Sequence, residues 1–193
     1  VQSWGGIARR LPVERDNVEA IVGAAQQGLL GSDLLVVIGG ASVGDHDLVR
    51  PAIEATGATL DFWRVAIKPG KPLMVAQRGR QVILGLPGNP AAAFVTGYLF
   101  LLPLLRAALG AAETLPRLIP ARLAQDMPAG GGRTEFLRAR WDGASVTLDP
   151  LQDSGALSSL ARSNALVRRE ARAPLTPAGT DVPVYLLENG GIA

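Results

Sequence analysis

Of the 19 basic residues in this 193-residue chain only two are lysines, and both stand in one five-residue loop, Lys68-Pro69-Gly70-Lys71-Pro72. A composition so biased to arginine supplies arginine wherever generic surface charge is needed. Lysine placed twice here points to compact ammonium groups suited to a phosphate or another oxyanion. The two prolines restrict the loop and the directions of its side chains. A solvated turn is the competing explanation. A second loop, Gly39-Gly40-Ala41-Ser42-Val43-Gly44-Asp45-His46-Asp47, follows an apolar run. Its glycines let backbone amides approach a bound anion, and Asp45 and Asp47 offer carboxylates to a metal ion on phosphate. An ordinary strand-to-helix turn with Asp47 as the helix cap accounts for the same residues. The third loop is Gly85-Leu86-Pro87-Gly88-Asn89-Pro90. Asn89 suits an N-cap and Pro90 the first helical position, so capping explains that pair fully. It explains Pro87-Gly88 less well, and a rigid corner beside helix amides is again an anion cradle.

The surrounding pattern shows what must position these loops. Residues 7–13 read as a strand, and Asp16 or Asn17 caps a helix running to about residue 30 and ended by Gly31. Residues 34–38 form a continuous apolar run, the signature of a strand buried on both faces. A short helix from Asp47 to about residue 55, a strand over 59–67, two short strands over 73–76 and 81–85, and a helix from Pro90 to about residue 109 follow. This alternation is that of an α/β domain, where ligands bind in loops beyond the strand ends. Near residues 112–120 the pattern changes to short strands at 118–125, 134–141, 145–148, 165–168 and 182–187, with one helical turn near 157–161. That second part reads as a small β-barrel or sandwich. Two domains, 1–112 and 113–193, follow. Trp4, Trp63 and Trp141 read as core or interface residues, and Arg138, alternating with Phe136, reads by itself as a surface charge.

Composition excludes several classes of function. With no cysteine there is no disulfide, thiolate metal site or thiol nucleophile, and the single histidine, His46, rules out a multi-histidine metal centre. The net charge of +2 is spread evenly over both parts, unlike a nucleic-acid binder. Residues 91–105 are strongly apolar but shorter than a membrane span, so a buried helix is expected. The segment Val-Gln-Ser-Trp-Gly-Gly at the start lacks the basic and apolar regions of a signal peptide.

Taken together and in this order, Gly-Gly-Ala-Ser-Val-Gly-Asp, Lys-Pro-Gly-Lys-Pro and Gly-Leu-Pro-Gly-Asn-Pro resemble the molybdopterin molybdenumtransferases, the MoeA and gephyrin E-domain family. The segments Arg133-Thr-Glu-Phe-Leu-Arg138, Gln152-Asp-Ser154 and Ser163-Asn164-Ala165 are similar to the family's C-terminal domain. The resemblance implies a MogA/MoaB-like three-layer α/β domain with a mostly parallel sheet, its first strand and a Thr-Gly-Asp-Glu-like loop unmatched here. A small all-β barrel follows. It implies a C-terminal part of a longer enzyme, with an exposed sheet edge.

For function, the resemblance implies insertion of molybdate into adenylylated molybdopterin with release of AMP, assisted by magnesium. Catalytic positions carried over are Asp16, Asp47, Arg64 (lysine in many relatives) and Lys68, with Asp16 and Asp47 as metal ligands. Binding positions are Gly39, Gly40, Ser42, Gly44, Asp45, Lys71, Pro87, Gly88, Asn89 and Pro90, faced by Arg138 and Ser154 from the barrel; Ala41 departs from the usual valine. A cytoplasmic homodimer acting on small molecules, with no nucleic-acid or membrane partner, is implied as well. Two other readings stay open. One is the preceding adenylyltransferase, against which the second domain argues. The other is a non-catalytic scaffold of gephyrin E-domain type, which the near-neutral charge permits.

Overall fold

A computed structural model describes residues 1–39, 48–153, 155 and 157–187. After a 3-10 turn over Gln2–Trp4, residues 7–13 form no strand, contrary to expectation. Ile7 and Val13 are fully or almost fully exposed. The segment finds its contacts at a helix end instead of a ladder, because Arg9 donates from Nη2 to the carbonyls of Gln27, Gly28 and Leu30 at 2.7, 3.2 and 3.1 Å. Those carbonyls close α1 (Val18–Leu29), whose other end is capped by Asn17 Oδ1 accepting from Glu19 N at 2.8 Å. Gly28 lets α1 pack closely on the following strand, since a Cβ there would lie 2.7 Å from Leu35 Cδ1 and that side chain would have to shift.

The chain continues through β1 (Leu34–Ile38), α2 (Val49–Ala55), β2 (Thr59–Trp63), β3 (Ile67–Lys68), β4 (Met74–Arg78) and β5 (Gln81–Leu86). The expected strand over 59–67 is thus two strands. Arg64, at φ 117°, breaks it, a backbone conformation that L side chains rarely adopt. β1, β5, β4 and β2 form one sheet in that order, with β1 parallel to β5 and β4 antiparallel to both its neighbours. Three strands therefore share a direction and the sheet is mixed. β1 is an edge strand among the described residues, so it is half-buried rather than enclosed, and Ile38 is exposed. Even so, both faces are covered. Leu35 packs with Ala25, Leu29 and Ile53 on the face of α1 and α2, and Leu34 and Val36 pack with Leu101 and Leu105 on the other. This is the expected three-layer arrangement.

The second layer of helix is one continuous run: α3 (Pro90–Thr96), a π turn (Gly97–Leu101) and α4 (Leu102–Ala108). The wide turn sits immediately before Pro103, which cannot donate a backbone hydrogen bond and would crowd a regular turn. The 19-residue run is long and apolar enough to cross a membrane by length and composition. Half of it is buried inside this fold, with Val95 and Leu102 fully enclosed, so it is a core helix here.

The remaining elements are β6 (Leu118–Leu123), β7 (Thr134–Trp141), β8 (Ser145–Leu148), α5 (Leu157–Arg162), β9 (Ala165–Arg169) and β10 (Asp181–Leu186). Their strands pair as β7-β8-β6-β10-β9 and close through β7 with β9, making a five-stranded barrel. Leu137, Ala139, Val146, Val167 and Val184 fill its interior. β3 joins β7 in parallel along the stretch that β8 leaves free, so two residues from the first half of the chain extend the barrel's sheet. An apolar cluster of Val95, Tyr98 and Leu102 with Phe136 and Leu166 binds the halves together. Tyr98 donates its hydroxyl to Leu186 O at 2.9 Å, and burial pushes its pKa up to about 12.

Candidate functional site

The second and third loops meet, as far as the second is described. Gly39, at φ 87°, donates its N–H to Leu86 O at 3.1 Å. A Cβ on Gly88 would lie 3.2 Å from Gly39 Cα, so the ends of β1 and β5 approach backbone to backbone. That contact is tighter than ordinary packing, so a side chain at 88 would push the two strand ends apart by a few tenths of an ångström. Pro87, Gly88 and Asn89 then turn into α3, with Asn89 Oδ1 accepting from Ala92 N at 3.1 Å and Pro90 at the first turn. Gly40, Ser42, Gly44, Asp45 and Asp47 lie outside the described residues, as does Ser154.

The lysine loop is seated on the same helix. Gly70, buried at φ 113°, has no room for a side chain because a Cβ would overlap Thr96 Cγ2. Thr96 is six residues into the helix, or roughly 9 Å along it at 1.5 Å per residue. The Lys68–Pro69 peptide is cis. The loop's carbonyls are used at its base, where Lys71 O accepts from both Val65 N and Leu73 N at 3.1 Å. The Lys71 residue is exposed.

Lys68 Nζ lies 3.2 Å from Glu135 Oε1, while Glu135 Oε2 accepts from Arg169 Nε at 2.8 Å and from Arg169 Nη2. The Glu135 and Arg169 side chains are buried, at 5% and 9% exposure, whereas that of Lys68 is 50% exposed. Burial by itself pushes the Glu135 carboxyl up. The hydrogen bonds and charges of Arg169 and Lys68 outweigh it and hold the group below the usual glutamate value. Sequence reasoning passed over Glu135 and Arg169. The available signal was period two along β7, which puts Glu135 on the same inward face as Leu137 and Ala139, where a lone acid needs a partner.

Arg64 is placed differently from Lys68. Its guanidinium lies 4.2 Å from the centre of the Trp63 ring, and Arg50 lies over the same ring at 5.2 Å. Trp63 is half-buried, packed on the apolar cluster that holds Leu29, Leu35 and Ile53, and flanked by two cations. Arg64 is exposed, and no contact brings it to Lys68 among the described residues. Asp16 is exposed before α1, and nothing in the described residues joins it to the loops. No group of three or more histidine, aspartate or glutamate side chains suited to a metal occurs among the described residues.

Arg138 corrects the sequence reading of a surface charge, since it is only 2% exposed. Its Nη2 donates to Leu151 O at 2.9 Å and Asp153 O at 2.8 Å, while Nε and Nη1 are buried without a partner among the described residues. Burial lowers its pKa, opposed by Asp149 and Asp153. Gln152 splints the same place, accepting from Arg138 N at 3.0 Å and donating to Arg138 O at 2.8 Å and Asp149 O at 2.7 Å. Arg138 and Gln152 together fix the backbone that leads to Ser154.

Comparison with known proteins agrees with both halves of the fold. The family described as "Probable molybdopterin binding domain" matches residues 1–107, and that described as "MoeA C-terminal region (domain IV)" matches residues 120–187. The molybdopterin molybdenumtransferase of Staphylococcus aureus strain Mu50 is 30% identical over 180 residues, covering 91% of this chain and 43% of that protein. The enzyme of the same name from Staphylococcus epidermidis is 30% identical over 181 residues, covering 92% and 43%. Among solved structures, the molybdopterin biosynthesis MoeA protein of Pyrococcus horikosii superposes with a TM-score of 0.74 at 27% identity, over 89% of this chain and 41% of that one. A molybdenum cofactor biosynthesis protein of Pyrococcus furiosus shares the fold, with a TM-score of 0.68 at 24% identity over 89% and 55%. The chain spans 43% of the length of these curated relatives.

Proposed function

Because the chain belongs to the molybdopterin-binding domain family, joined here to a MoeA C-terminal region, we propose that it works in molybdenum cofactor biosynthesis as part of a molybdopterin molybdenumtransferase. The substrates in this reading are adenylylated molybdopterin and molybdate, and AMP is released. The observation that carries it is the meeting of Gly39 with Gly88 at the strand ends, beside a capped helix on which the lysine loop is seated. Backbone amides and the positive helix end favour a phosphate there. Lys68, with its side chain half exposed, and Lys71 supply the nearby positive charge for molybdate or phosphate oxygens. Arg64 contributes charge from the face of Trp63. In the same reading Gly40, Ser42, Gly44 and Asp45 complete the phosphate cradle, and Arg138 acts by holding the segment that ends in Ser154.

The family's magnesium is assigned to Asp16 and Asp47. Asp47 lies outside the described residues, and no acidic cluster of three or more gathers around Asp16 among them. A cytoplasmic homodimer belongs to the same proposal and rests on the family likeness. The domain boundary is placed at 112/113, supported by the end of α4 at Ala108, Gly110 at φ 77° and the limits of the two family matches. The C-terminal match supports this reading over an adenylyltransferase.

Calorimetric titration with adenylylated molybdopterin tests the proposal, on this chain and on the chain extended to the length of its relatives. Binding that weakens on Lys68→Ala is expected. Absence of binding in both, or binding indifferent to that substitution, refutes it.

A further inference from the structure

We propose that Glu135 is a positioning residue for Lys68, a buried carboxylate of the barrel that aims the oxyanion-binding ammonium from across the junction of the two domains. The proposal rests on the reading of Lys68 given above. Three strands bring the charges into one row: Lys68 of β3 is opposite Glu135 of β7, and Glu135 is opposite Arg169 of β9. Arg169 holds Oε2 through two nitrogens and is itself anchored to Pro128 O, so the carboxylate has a fixed orientation. The other oxygen, Oε1, then meets Lys68 at 3.2 Å. Arg133 Nη1 donates to Ile67 O at 3.3 Å and ties down the backbone beside it.

The charge balance matters. A carboxylate alone beside Lys68 would cancel its charge and compete with an incoming anion. Arg169 neutralises that carboxylate, so the row of two cations and one anion keeps a single positive charge. That charge is expressed where the row is open to solvent, at Lys68. An ammonium has three N–H donors, and with one directed at Glu135 the others remain for an oxyanion. Glu135 thereby removes rotamer freedom from a four-carbon side chain before any ligand arrives, and that freedom is otherwise lost on binding.

Because Lys68 and Lys71 are the only lysines, labelling lysine side chains with 15N and 13C gives two ammonium signals, assigned with Lys71→Arg. In the wild-type chain without anion, the Lys68 ammonium protons are expected to exchange with solvent more slowly than those of Lys71. Equal, solvent-like behaviour of the two overturns the proposal with no variant required. Sodium molybdate is then titrated into the wild type and into Glu135→Asp, which keeps the charge but shortens the reach by one methylene, so that it cannot hold Arg169 and Lys68 together. The expected result is loss of the Lys68 protection and an affinity at Lys68 weaker on the order of tenfold, the freedom of one lysine side chain. A wild-type response that Glu135→Asp leaves unchanged overturns the positioning role alone. A Lys68 signal that ignores molybdate in the wild type overturns the oxyanion reading, and leaves the row as a structural ion pair.

Discussion

Arg169→Met is expected to destabilise the fold far more than the loss of one charged residue on a surface. Glu135 is 3% exposed and Arg169 9%, and they are joined by Nε to Oε2 at 2.8 Å and by a second bond from Nη2. Removing one partner of a buried pair costs about 3–5 kcal/mol, because the other charge stays behind without compensation. Lys68 still faces Glu135, but it is half exposed and occupies only Oε1, so it offsets a minor part. A loss of about 3 kcal/mol follows. For a chain of this size that lowers Tm by roughly 6–12 °C, at about 2–4 °C per kcal/mol. The double substitution Glu135→Leu with Arg169→Met removes both charges and is expected to return to within about 1–2 kcal/mol of the wild type. Urea unfolding followed by tryptophan fluorescence reads both, with the slope against urea unchanged. A single variant that costs less than about 1 kcal/mol, or a double variant whose cost is the sum of the two singles, refutes the argument.

Gly70→Ala combines a φ of 113° with overlap of Thr96, and should cost more than about 2 kcal/mol in urea unfolding; a neutral result would show the loop free to lift off the helix. Asn17→Ala removes the acceptor for Glu19 N and should cost about 1 kcal/mol, with faster amide exchange confined to the first turn of α1. Gln152→Ala leaves the Arg138 backbone without its side-chain partners and should cost on the order of 2 kcal/mol, seen as a lower urea midpoint; an unchanged midpoint would mean that water replaces the splint. Acid should weaken the fold. Glu135 and Asp149 are both held below their ordinary values of 4.5 and 3.8, so their contribution is complete above those values and disappears as pH falls through the lowered folded ones. Urea midpoints compared between neutral pH and about pH 3 should fall less in Glu135→Gln than in the wild type; an equal fall removes Glu135 from the account.

Local chemistry was legible where one residue type decides the backbone. Asn89-Pro90 announces a helix start, and the alternation over Thr134–Trp141 and Ser145–Leu148 announces strands at the bounds found. Gly70 sits where close approach excludes a side chain, and Gly88 where a Cβ would be tight. What was not legible depended on partners distant in sequence. Residues 7–13 have the composition of a strand but meet the end of α1 rather than a sheet edge. The division of 59–67 turns on a positive φ at an arginine, which no pattern of side chains signals. Arg138 lies with Phe136 on the face of β7 away from the barrel interior, where a charge is ordinarily exposed, yet the loop at 149–153 folds over it. The loop at 40–47 and Ser154, read from sequence as binding positions, lie outside the described residues.

The two-residue strand β3 makes inheritance and mechanics disagree about where the C-terminal unit begins. A recombination event that exchanged everything after residue 112 would import a foreign barrel while retaining the native rung, Ile67 and Lys68, that docks along it. The newcomer would be accepted only if it brought an acid opposite Lys68 and a guanidinium behind that acid. Positions 68, 135 and 169 therefore form one unit of substitution, and chimeras built between relatives should respect that trio before any linker length.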